Sequence, residues 1–378
     1  MSPARRHSRT RKPSPLIGVG SAAALLLLGP LAYGDPSPRR QLTFVGETMG
    51  TTYAVKVVSS RPGGPRQRQI RQAVLAALEQ VDSRMSTYRP SSELSRFNRW
   101  QETTPFEVSG PTFEAFRLAL EASEVSGGAF DVTVGPLVEA WGFGPGGRRS
   151  RQPSEDDIRE LLAVTGYRSL ELDASAQTIR KKIPEIYCDL SGVAKGYGVD
   201  RVATALDGLG AAHYMIEVGG EIRTRGRNLE GRAWQLAIES PTAAGAIHRV
   251  VPVSGAALAT SGDYRNQYDL EGLRVSHTID PRVGRPVEHS LASVSVVHSR
   301  CALADAFATA LMVLGPDEGW RLAVRENLAA LFLIRDSETG LVEKMSPAFD
   351  ELYSEDGPRE RAGAESASRS LEKGRGDV

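Results

Sequence analysis

The segment ALADAFATALMVL, at residues 302–314, predicts a strongly apolar helix, because polar side chains occupy only two of its positions. Gly315 and Pro316 follow directly and indicate the end of that helix. A further helix is predicted over 317–326. A helix that is apolar on nearly every side is expected to be buried in the protein core.

Outside this segment the hydrophobic pattern predicts a mixture of helices and strands. Apolar residues at three- and four-residue steps predict helices over 66–85, 112–125 and 197–209. Short apolar or alternating runs predict strands at Thr51–Ser59, Tyr214–Val218, 234–238, 292–297 and 329–334. Because strands and helices do not alternate regularly, a simple Rossmann arrangement is disfavoured. The segment GFGPGGRRSR, at 142–151, is predicted to be a surface loop between two subregions.

The composition is that of a globular protein with balanced charge. The 378 residues include 46 basic and 46 acidic side chains, so the formal net charge is zero. An apolar fraction of 40% with 24% charged residues excludes global disorder, collagen-like repeats and a multi-span membrane protein. The charge balance also argues against a nucleic-acid partner, since nucleic-acid-binding proteins carry a basic excess or patch. Cys188 and Cys301 each lie in an apolar run and are predicted to be core residues.

The two ends of the chain differ from the rest. Residues 1–14 contain five basic residues and no acidic one, and an apolar stretch follows over 16–33. This layout over 1–34 is typical of an export signal cleaved near Gly34, and an uncleaved membrane anchor is the alternative. We therefore expect a periplasmic or otherwise extracytoplasmic location, with tethering to the inner membrane if the anchor is retained. The polar segment 354–378 has too few apolar residues to fold and is expected to be a disordered tail.

Asp305 and Thr309 are the polar residues of the apolar helix, and their four-residue spacing places them on one helix face. A carboxylate and a hydroxyl inside a buried helix are unfavourable unless they are paired or bind a cation. Both groups are hard oxygen ligands of the kind that suits Mg²⁺ rather than zinc. The alternative is that Asp305 pairs with a buried arginine and Thr309 bonds back to its own helix.

The segment DLSGVAKGYG, at 189–198, follows strand-like residues and precedes a helix predicted to continue from Val199. A glycine-rich turn that opens a helix presents backbone N–H groups to an anion, and Lys195 would add positive charge beside them. The order of residues is not that of a P-loop. The alternative is that these glycines are only structural.

The segment VSHTIDPRVGRP, at 275–286, places His277 in a turn between strand-like residues. A histidine in such a position is a candidate base near neutral pH. The alternative is a turn histidine that is satisfied by the backbone.

Three further segments contain tight-turn glycines, aromatic residues or acidic residues, as a nucleotide pocket would. They are GETMGT at 46–51, MSTY at 85–88 together with SRFN at 95–98, and GGAFDVT at 127–133. None of the three is decisive alone.

Taken in chain order, these six segments resemble the ApbE family of FAD:protein FMN transferases, including its NosX-type members. The resemblance covers about residues 41–345, and six motifs in the family's order are far more specific than any one of them. It implies an α+β, T-fold-like architecture with an FAD cleft, in a domain over 41–350. It also implies that the enzyme cuts FAD with Mg²⁺, releases AMP and attaches FMN by a phosphoester to a Ser or Thr. FAD and an exported flavoprotein subunit are then the expected partners.

The same resemblance assigns roles to residues of this chain. Asp305, Thr309 and a backbone carbonyl at Gly192 would be the Mg²⁺ ligands. The residues expected to contact FAD are Met49, Tyr88, Asp131, Lys195 and Ile279. His277 would lie near the scissile phosphates as the candidate base, with Asp305 as its main rival, and Lys195 would share the phosphate charge.

Two other functions stay open on the sequence. In the first, water replaces the protein hydroxyl, and the chain is an FAD pyrophosphatase that forms FMN and AMP. In the second, the chain binds flavin without turnover.

Overall fold

The computed structural model describes residues 39–353 except 60–64, 145, 244 and 265–266, and the side chain of Leu273 is also left out. The expected signal or anchor over 1–34 and the expected tail over 354–378 lie outside the described residues. No described helix is long and apolar enough to cross a membrane.

Seventeen strands and eight helices form the described part of the chain. The strands are β1 (Arg40–Thr48), β2 (Thr51–Ser59), β3 (Phe106–Glu107), β4 (Leu170–Asp173), β5 (Thr178–Lys181), β6 (Tyr214–Val218), β7 (Glu221–Arg225), β8 (Trp234–Glu239), β9 (Ile247–Val253), β10 (Ala257–Gly262), β11 (Gln267–Leu270), β12 (Leu273–Ser276), β13 (Ile279–Asp280), β14 (Arg285–Pro286), β15 (Leu291–His298), β16 (Ala329–Asp336) and β17 (Gly340–Met345). The helices are α1 (Gln67–Met85), α2 (Glu93–Arg99), α3 (Gly110–Val125), α4 (Gly135–Ala140), α5 (Glu155–Ala163), α6 (Ser191–Gly208), α7 (Cys301–Arg325) and α8 (Pro347–Tyr353).

The core is an eight-stranded antiparallel sheet in the order β1-β2-β6-β7-β10-β15-β16-β17. Helices α6 and α7 cover one face, and the β8–β9 hairpin with α8 packs on the other. The central strand β15 is buried on both sides, because Val294 and Val296 pack with α7 while Val297 packs with the hairpin. Ser293 and Ser295 alternate with these valines and are buried as well, so neither face of the strand meets solvent there.

Most of the predicted elements are present within a few residues of their expected bounds. The helices predicted over 66–85 and 112–125 are α1 and α3, and the five predicted strands are β2, β6, β8, β15 and β16. The antiparallel sheet agrees with the expectation that the fold is not a Rossmann arrangement. Cys188 and Cys301 are both buried and unpaired, as predicted for core residues.

The apolar helix ends at Gly315, as predicted. Helix α7 runs from Cys301 to Arg325, with a break at Gly315, whose φ is 75° and ψ is −171°. The His289 ring fills the break, where its Nε2 lies 2.8 Å from the Met312 carbonyl oxygen. Gly315 and Pro316 therefore separate the apolar helix from a second helical segment that continues to Arg325, as the sequence predicted.

The glycine-rich segment 189–198 differs from its prediction, because α6 begins at Ser191 rather than near Val199. The residues before it are not a strand. The Asn98 side chain pairs with both backbone groups of Cys188, accepting from its N–H and donating to its carbonyl, each at 2.8 Å. A side chain thus takes the place of the neighbouring strand that the apolar pattern suggested.

Candidate active site

A cavity of about 1310 Å³ lies between the first turns of α6, the middle of α7 and the loops that flank them. It is larger than the roughly 300–1,000 Å³ usual for drug-sized ligands. All nine predicted site residues line this cavity: Met49, Tyr88, Asp131, Gly192, Lys195, His277, Ile279, Asp305 and Thr309. The fold therefore brings together residues that are far apart in the sequence, while their individual roles stay predictions.

Met49 reaches the cavity from the tight turn between β1 and β2. Met49 and Gly50 form the two-residue turn, with φ values of 48° and 69°. Positive φ at both positions is what such hairpin turns require. The Met49 methyl group lies against α6 at Gly198, where a Cβ would approach to within 2.7 Å. Gly198 thus lets the hairpin turn pack directly on the helix that carries Lys195.

The first turn of α6 packs tightly against its neighbours at Gly192. A Cβ on Gly192 would lie 2.8 Å from the Phe130 ring and 3.7 Å from the Thr309 hydroxyl oxygen. The lack of a side chain therefore lets the backbone of α6 approach Thr309. Asp189 precedes the helix, and its carboxylate accepts hydrogen bonds from the Ser191 N–H and hydroxyl at 2.8 and 2.5 Å. The segment is thus the first two turns of a helix, and its glycines permit close packing.

Lys195 projects between two carboxylates. Its Nζ lies 3.4 Å from Asp305 Oδ1 on α7 and 3.4 Å from Glu221 Oε1 at the start of β7. Asp305 also accepts a hydrogen bond from the Gly196 N–H at 3.0 Å. The alternative of a buried arginine partner for Asp305 is therefore wrong, and the partner is a lysine of the predicted motif.

Burial and charge act in opposite directions in this cluster. Burial raises the pKa of Asp305, while Lys195 and the Gly196 N–H lower it. Burial raises the pKa of Glu221 to about 8 although Lys195 is close, and the Asp305 charge adds to the rise. Burial alone would lower the pKa of Lys195, but Asp305 and Glu221 outweigh it and raise that pKa. The cluster is therefore arranged to keep the ammonium charged.

Helices α6 and α7 are fixed against each other next to this cluster. A Cβ on Gly196 would lie 2.4 Å from the Cys301 carbonyl oxygen, so only glycine allows this approach. Asp200 of α6 accepts hydrogen bonds from the N–H groups of Cys301 and Ala302, at 3.0 and 3.1 Å, and pairs with Arg223. A carboxylate at the start of a helix satisfies its free N–H groups and its positive dipole. This contact sets the position of Asp305 relative to Lys195.

The donor set fits the predicted magnesium ligands. Asp305 supplies a carboxylate, Thr309 a hydroxyl, and the neighbouring turn of α6 a backbone at Gly192. Ser261 adds a hydroxyl whose oxygen lies 3.4 Å from that of Thr309. These are hard oxygen donors, which Mg²⁺ prefers. Within residues 39–353, as far as they are described, no three His, Cys, Asp or Glu side chains group as a metal site, so the ion would depend on hydroxyl and backbone oxygens in addition to the Asp305 carboxylate.

His277 lies in the turn after β12, as the sequence predicted, and Ile279 begins β13. The His277 ring meets the Phe143 ring nearly edge-on, with centroids 6.3 Å apart. Ile279 is buried and pairs with Pro286 between β13 and β14. The turn therefore holds the imidazole at the wall of the cavity.

Tyr88 and Asp131 stand in contrasting environments. The Tyr88 side chain is 70% exposed at the cavity. Asp131 is buried, and it accepts hydrogen bonds from the Thr133 N–H and hydroxyl and from the Tyr167 N–H at 2.6–2.8 Å. Burial raises the pKa of Asp131 despite these bonds. Three internal donors thus hold this carboxylate in a fixed orientation at the cavity wall.

Sequence reasoning missed Glu221 and Ser261. Glu221 directly follows Gly219 and Gly220, and a glycine pair after an apolar strand is a turn signal that could have marked it. Ser261 lies near the end of β10 and has no comparable signal.

Comparisons with known proteins agree with the sequence motifs. The family model described as "ApbE family" matches residues 49–332. The chain is 42% identical to the FAD:protein FMN transferase of Haemophilus influenzae, over 82% of this chain and 91% of that protein.

Two solved structures are similar over most of their length. The flavin transferase ApbE from Vibrio cholerae has a TM-score of 0.78 and 40% identity, covering 84% of this chain and 100% of that one. The apo flavinyl transferase ApbE from Pseudomonas stutzeri has a TM-score of 0.76 and 40% identity, covering 83% and 97%. The predicted α+β fold class and the predicted enzyme class, a transferase, are confirmed. Because the family match extends over well more than half of the sequence, the chain belongs to the ApbE family.

Proposed function

We propose that this chain is a Mg²⁺-dependent FAD:protein FMN transferase that modifies a Ser or Thr of an exported flavoprotein subunit and releases AMP. The observation that carries the proposal is the arrangement around Lys195. Its ammonium lies 3.4 Å from Asp305, in a cavity lined by all nine residues of the family-like motifs. Relatives named FAD:protein FMN transferase, at up to 42% identity, support the same activity.

The reaction exchanges the phosphoanhydride bond of FAD for a phosphoester bond to the acceptor. The acceptor hydroxyl oxygen bonds to the phosphorus of the FMN half, and the bond from that phosphorus to the AMP oxygen breaks. The hydroxyl proton passes to a base, and AMP leaves with the electron pair. Such transfers depend on positioning and on neutralising phosphate charge.

The chain's own groups supply that neutralisation and orientation. Lys195 would bind phosphate oxygens with a charge that its two carboxylate neighbours maintain. Asp305, Thr309 and the Gly192 carbonyl would hold the Mg²⁺, which offsets the negative charge of the pyrophosphate when bound. Tyr88 and Met49 would pack against the aromatic parts of FAD.

We propose His277 as the base. Its rival Asp305 already accepts from the Gly196 N–H and lies beside Lys195, so its oxygens are engaged. A steady-state assay of His277→Ala tests the assignment, and flavinylation near the wild-type rate would remove His277 from this role. Asp305→Ala should abolish transfer at every accessible magnesium concentration, and rescue by excess Mg²⁺ would show that Asp305 is not essential.

The decisive experiment is mass spectrometry of a candidate acceptor subunit incubated with the enzyme and FAD, with and without Mg²⁺. We expect the mass of one FMN phosphoester on a Ser or Thr, and its loss when magnesium is removed. Free FMN and AMP with an unmodified acceptor would favour the pyrophosphatase. Intact FAD in both samples would leave only flavin binding.

We further propose that the protein acts outside the cytoplasm, which rests on the composition of residues 1–34. Cell fractionation combined with N-terminal sequencing of the mature protein tests this. A cleaved N-terminus near Gly34 in a soluble periplasmic fraction indicates a signal. An intact one in the membrane fraction indicates an anchor, and a cytoplasmic protein would contradict the proposal.

A further inference from the structure

The hairpin formed by β6 and β7 presses its tip against Lys195. Gly219 and Gly220 form the tip, with φ values of 60° and 105°. A Cβ on Gly219 would lie 3.2 Å from Cδ of Lys195 and 2.8 Å from Cγ2 of Thr51. The backbone of the hairpin tip therefore packs against the aliphatic part of the Lys195 side chain. Glu221 follows the tip directly in the sequence.

Glu221 is buried in an unusual way for a carboxylate. The residue is 4% exposed, its Oε1 lies 3.4 Å from the Lys195 ammonium, and its Oε2 has no hydrogen-bond partner within the described chain. A buried carboxylate with one long contact contributes little to stability compared with an apolar side chain of similar volume. A buried polar atom without a partner calls for an explanation beyond folding.

The two carboxylates beside Lys195 differ in what else they do. Asp305 accepts from the Gly196 N–H and is the carboxylate that the proposed function assigns to Mg²⁺. The Oε2 atom of Glu221 has no hydrogen-bond partner in the described part of the chain. When Asp305 binds a cation, Glu221 is the acidic group left in contact with the ammonium. A lysine side chain is flexible and needs such a contact to keep one position.

We propose that Glu221 is a positioning residue that holds the Lys195 ammonium beside the phosphates of FAD. This inference rests on the proposed function. Glu221 is an acidic group and adds no attraction for the pyrophosphate, so we expect that it does not improve FAD binding. Its effect falls instead on the orientation of Lys195 during transfer, since a preorganised charge acts most strongly on the transition state.

The first test is Glu221→Gln, which keeps the shape of the side chain and removes its acidic group. We expect kcat for FMN transfer to fall by about tenfold or more, while KM for FAD is unchanged or lower. In a Lys195→Met background, the same Glu221→Gln change should have no further effect on the transfer rate. Wild-type kcat in Glu221→Gln, or an equal loss in both backgrounds, would overturn the proposal.

The second test uses thermal unfolding without FAD or magnesium and needs no activity. Lys195→Met leaves two buried carboxylates without a cation, so we expect Tm to fall by about 5 °C or more. In the Glu221→Gln background the same change should lower Tm by clearly less. Equal shifts would show that the two side chains are not coupled and would overturn the proposal.

The matched control is Glu343→Gln on β17. Glu343 pairs with Arg249 and His248, at 2.6 and 2.8 Å, and does not line the cavity. We expect its transfer rate to stay within about twofold of wild type. If the wild-type enzyme itself modifies no acceptor, the proposed function fails, and the unfolding measurements still decide whether Glu221 holds Lys195.

Discussion

Lys181 and Lys195 are both enclosed by the fold, but they are satisfied in opposite ways. Lys181 is 0% exposed, and its Nζ donates to the carbonyl oxygens of Asn98, Trp100 and Pro184 at 3.2, 2.9 and 3.3 Å. It also lies 4.9 Å from the centre of the Phe97 ring. Burial lowers the pKa of Lys181. Three carbonyl groups match three N–H donors, so this ammonium is fully used within the protein.

The Lys195 ammonium has weaker hydrogen bonds within the protein than the Lys181 ammonium has. Its side chain is 29% exposed, and its contacts to Asp305, Glu221 and the Ser191 carbonyl are all 3.3–3.4 Å long. These distances exceed those of good N–H···O hydrogen bonds, about 2.7–3.2 Å. Lys181 is thus a structural cation, whereas Lys195 keeps donor capacity for a ligand.

The largest expected effect comes from removing the available cation. Lys195→Met should lower the rate of FMN transfer roughly 10²–10³-fold, the range found when one preorganised donor to developing charge is removed. Transfer is measured by acceptor mass at saturating FAD. A loss of less than about threefold would place Lys195 with Lys181 as a structural residue.

The counterpart substitution, Lys181→Met, should act on stability instead. It leaves three buried carbonyl groups without their donor, and we expect a loss of roughly 2–4 kcal/mol in the free energy of unfolding. The transfer rate at temperatures well below the unfolding transition should stay within about threefold of wild type. Urea titration measures the first quantity. An unchanged unfolding free energy with a large loss of rate would reverse the assignment of the two lysines.

A smaller effect is expected where α6 and α7 meet, because this contact creates the pocket of Lys195 but not that of Lys181. Gly196→Ala would force the helices apart at the Cys301 carbonyl and should cost about 1–3 kcal/mol of stability. It should also lower the transfer rate, since Lys195 and Asp305 lie on the two helices.

The matched control is Gly208→Ala at the end of the same helix, where a Cβ would have no neighbour within 4 Å. We expect it to be neutral or to stabilise by up to about 1 kcal/mol, because alanine is the better helix former. Equal unfolding free energies for the two alanine variants would mean that the helix contact at Gly196 can relax.

The two lysines also show which features of a site can be predicted from the sequence alone. Lys195 was predicted because it lies in a motif with a local signature, and the same holds for Asp305 and His277. Lys181 lies in a polar strand end with no such signature, since its three carbonyl partners are set by how distant loops fold around it. Glu221 was missed for a related reason, because its contact with Lys195 exists only after β7 is placed next to α6.

The errors in secondary structure have a physical origin as well. Glycines are poor helix formers, so the segment 189–198 was predicted to be a turn. In the structure Gly192 and Gly196 lie within α6, where close contacts with Phe130 and Cys301 decide the conformation. Tertiary packing that overrides local propensity cannot be seen in the pattern of a single segment. The fold class and the residues that line the cavity could be predicted from the sequence. The residues that pair with each charged side chain could not.

The smallest effect expected is a pH dependence that belongs to Lys181 alone. Burial lowers the folded-state pKa of Lys181 below its ordinary value of 10.5. Between those two values the unfolded chain binds more protons than the folded one, so the free energy of unfolding rises with pH. Below that window both states are protonated and the contribution is constant. Relative to Lys181→Met, the wild-type protein should therefore gain stability as the pH rises through the alkaline range toward 10.5. Urea unfolding of both proteins at several alkaline pH values gives this difference. A difference that shrinks with rising pH would mean that the folded protein favours the charged form, which is the behaviour of a lysine held by carboxylates rather than by carbonyl groups.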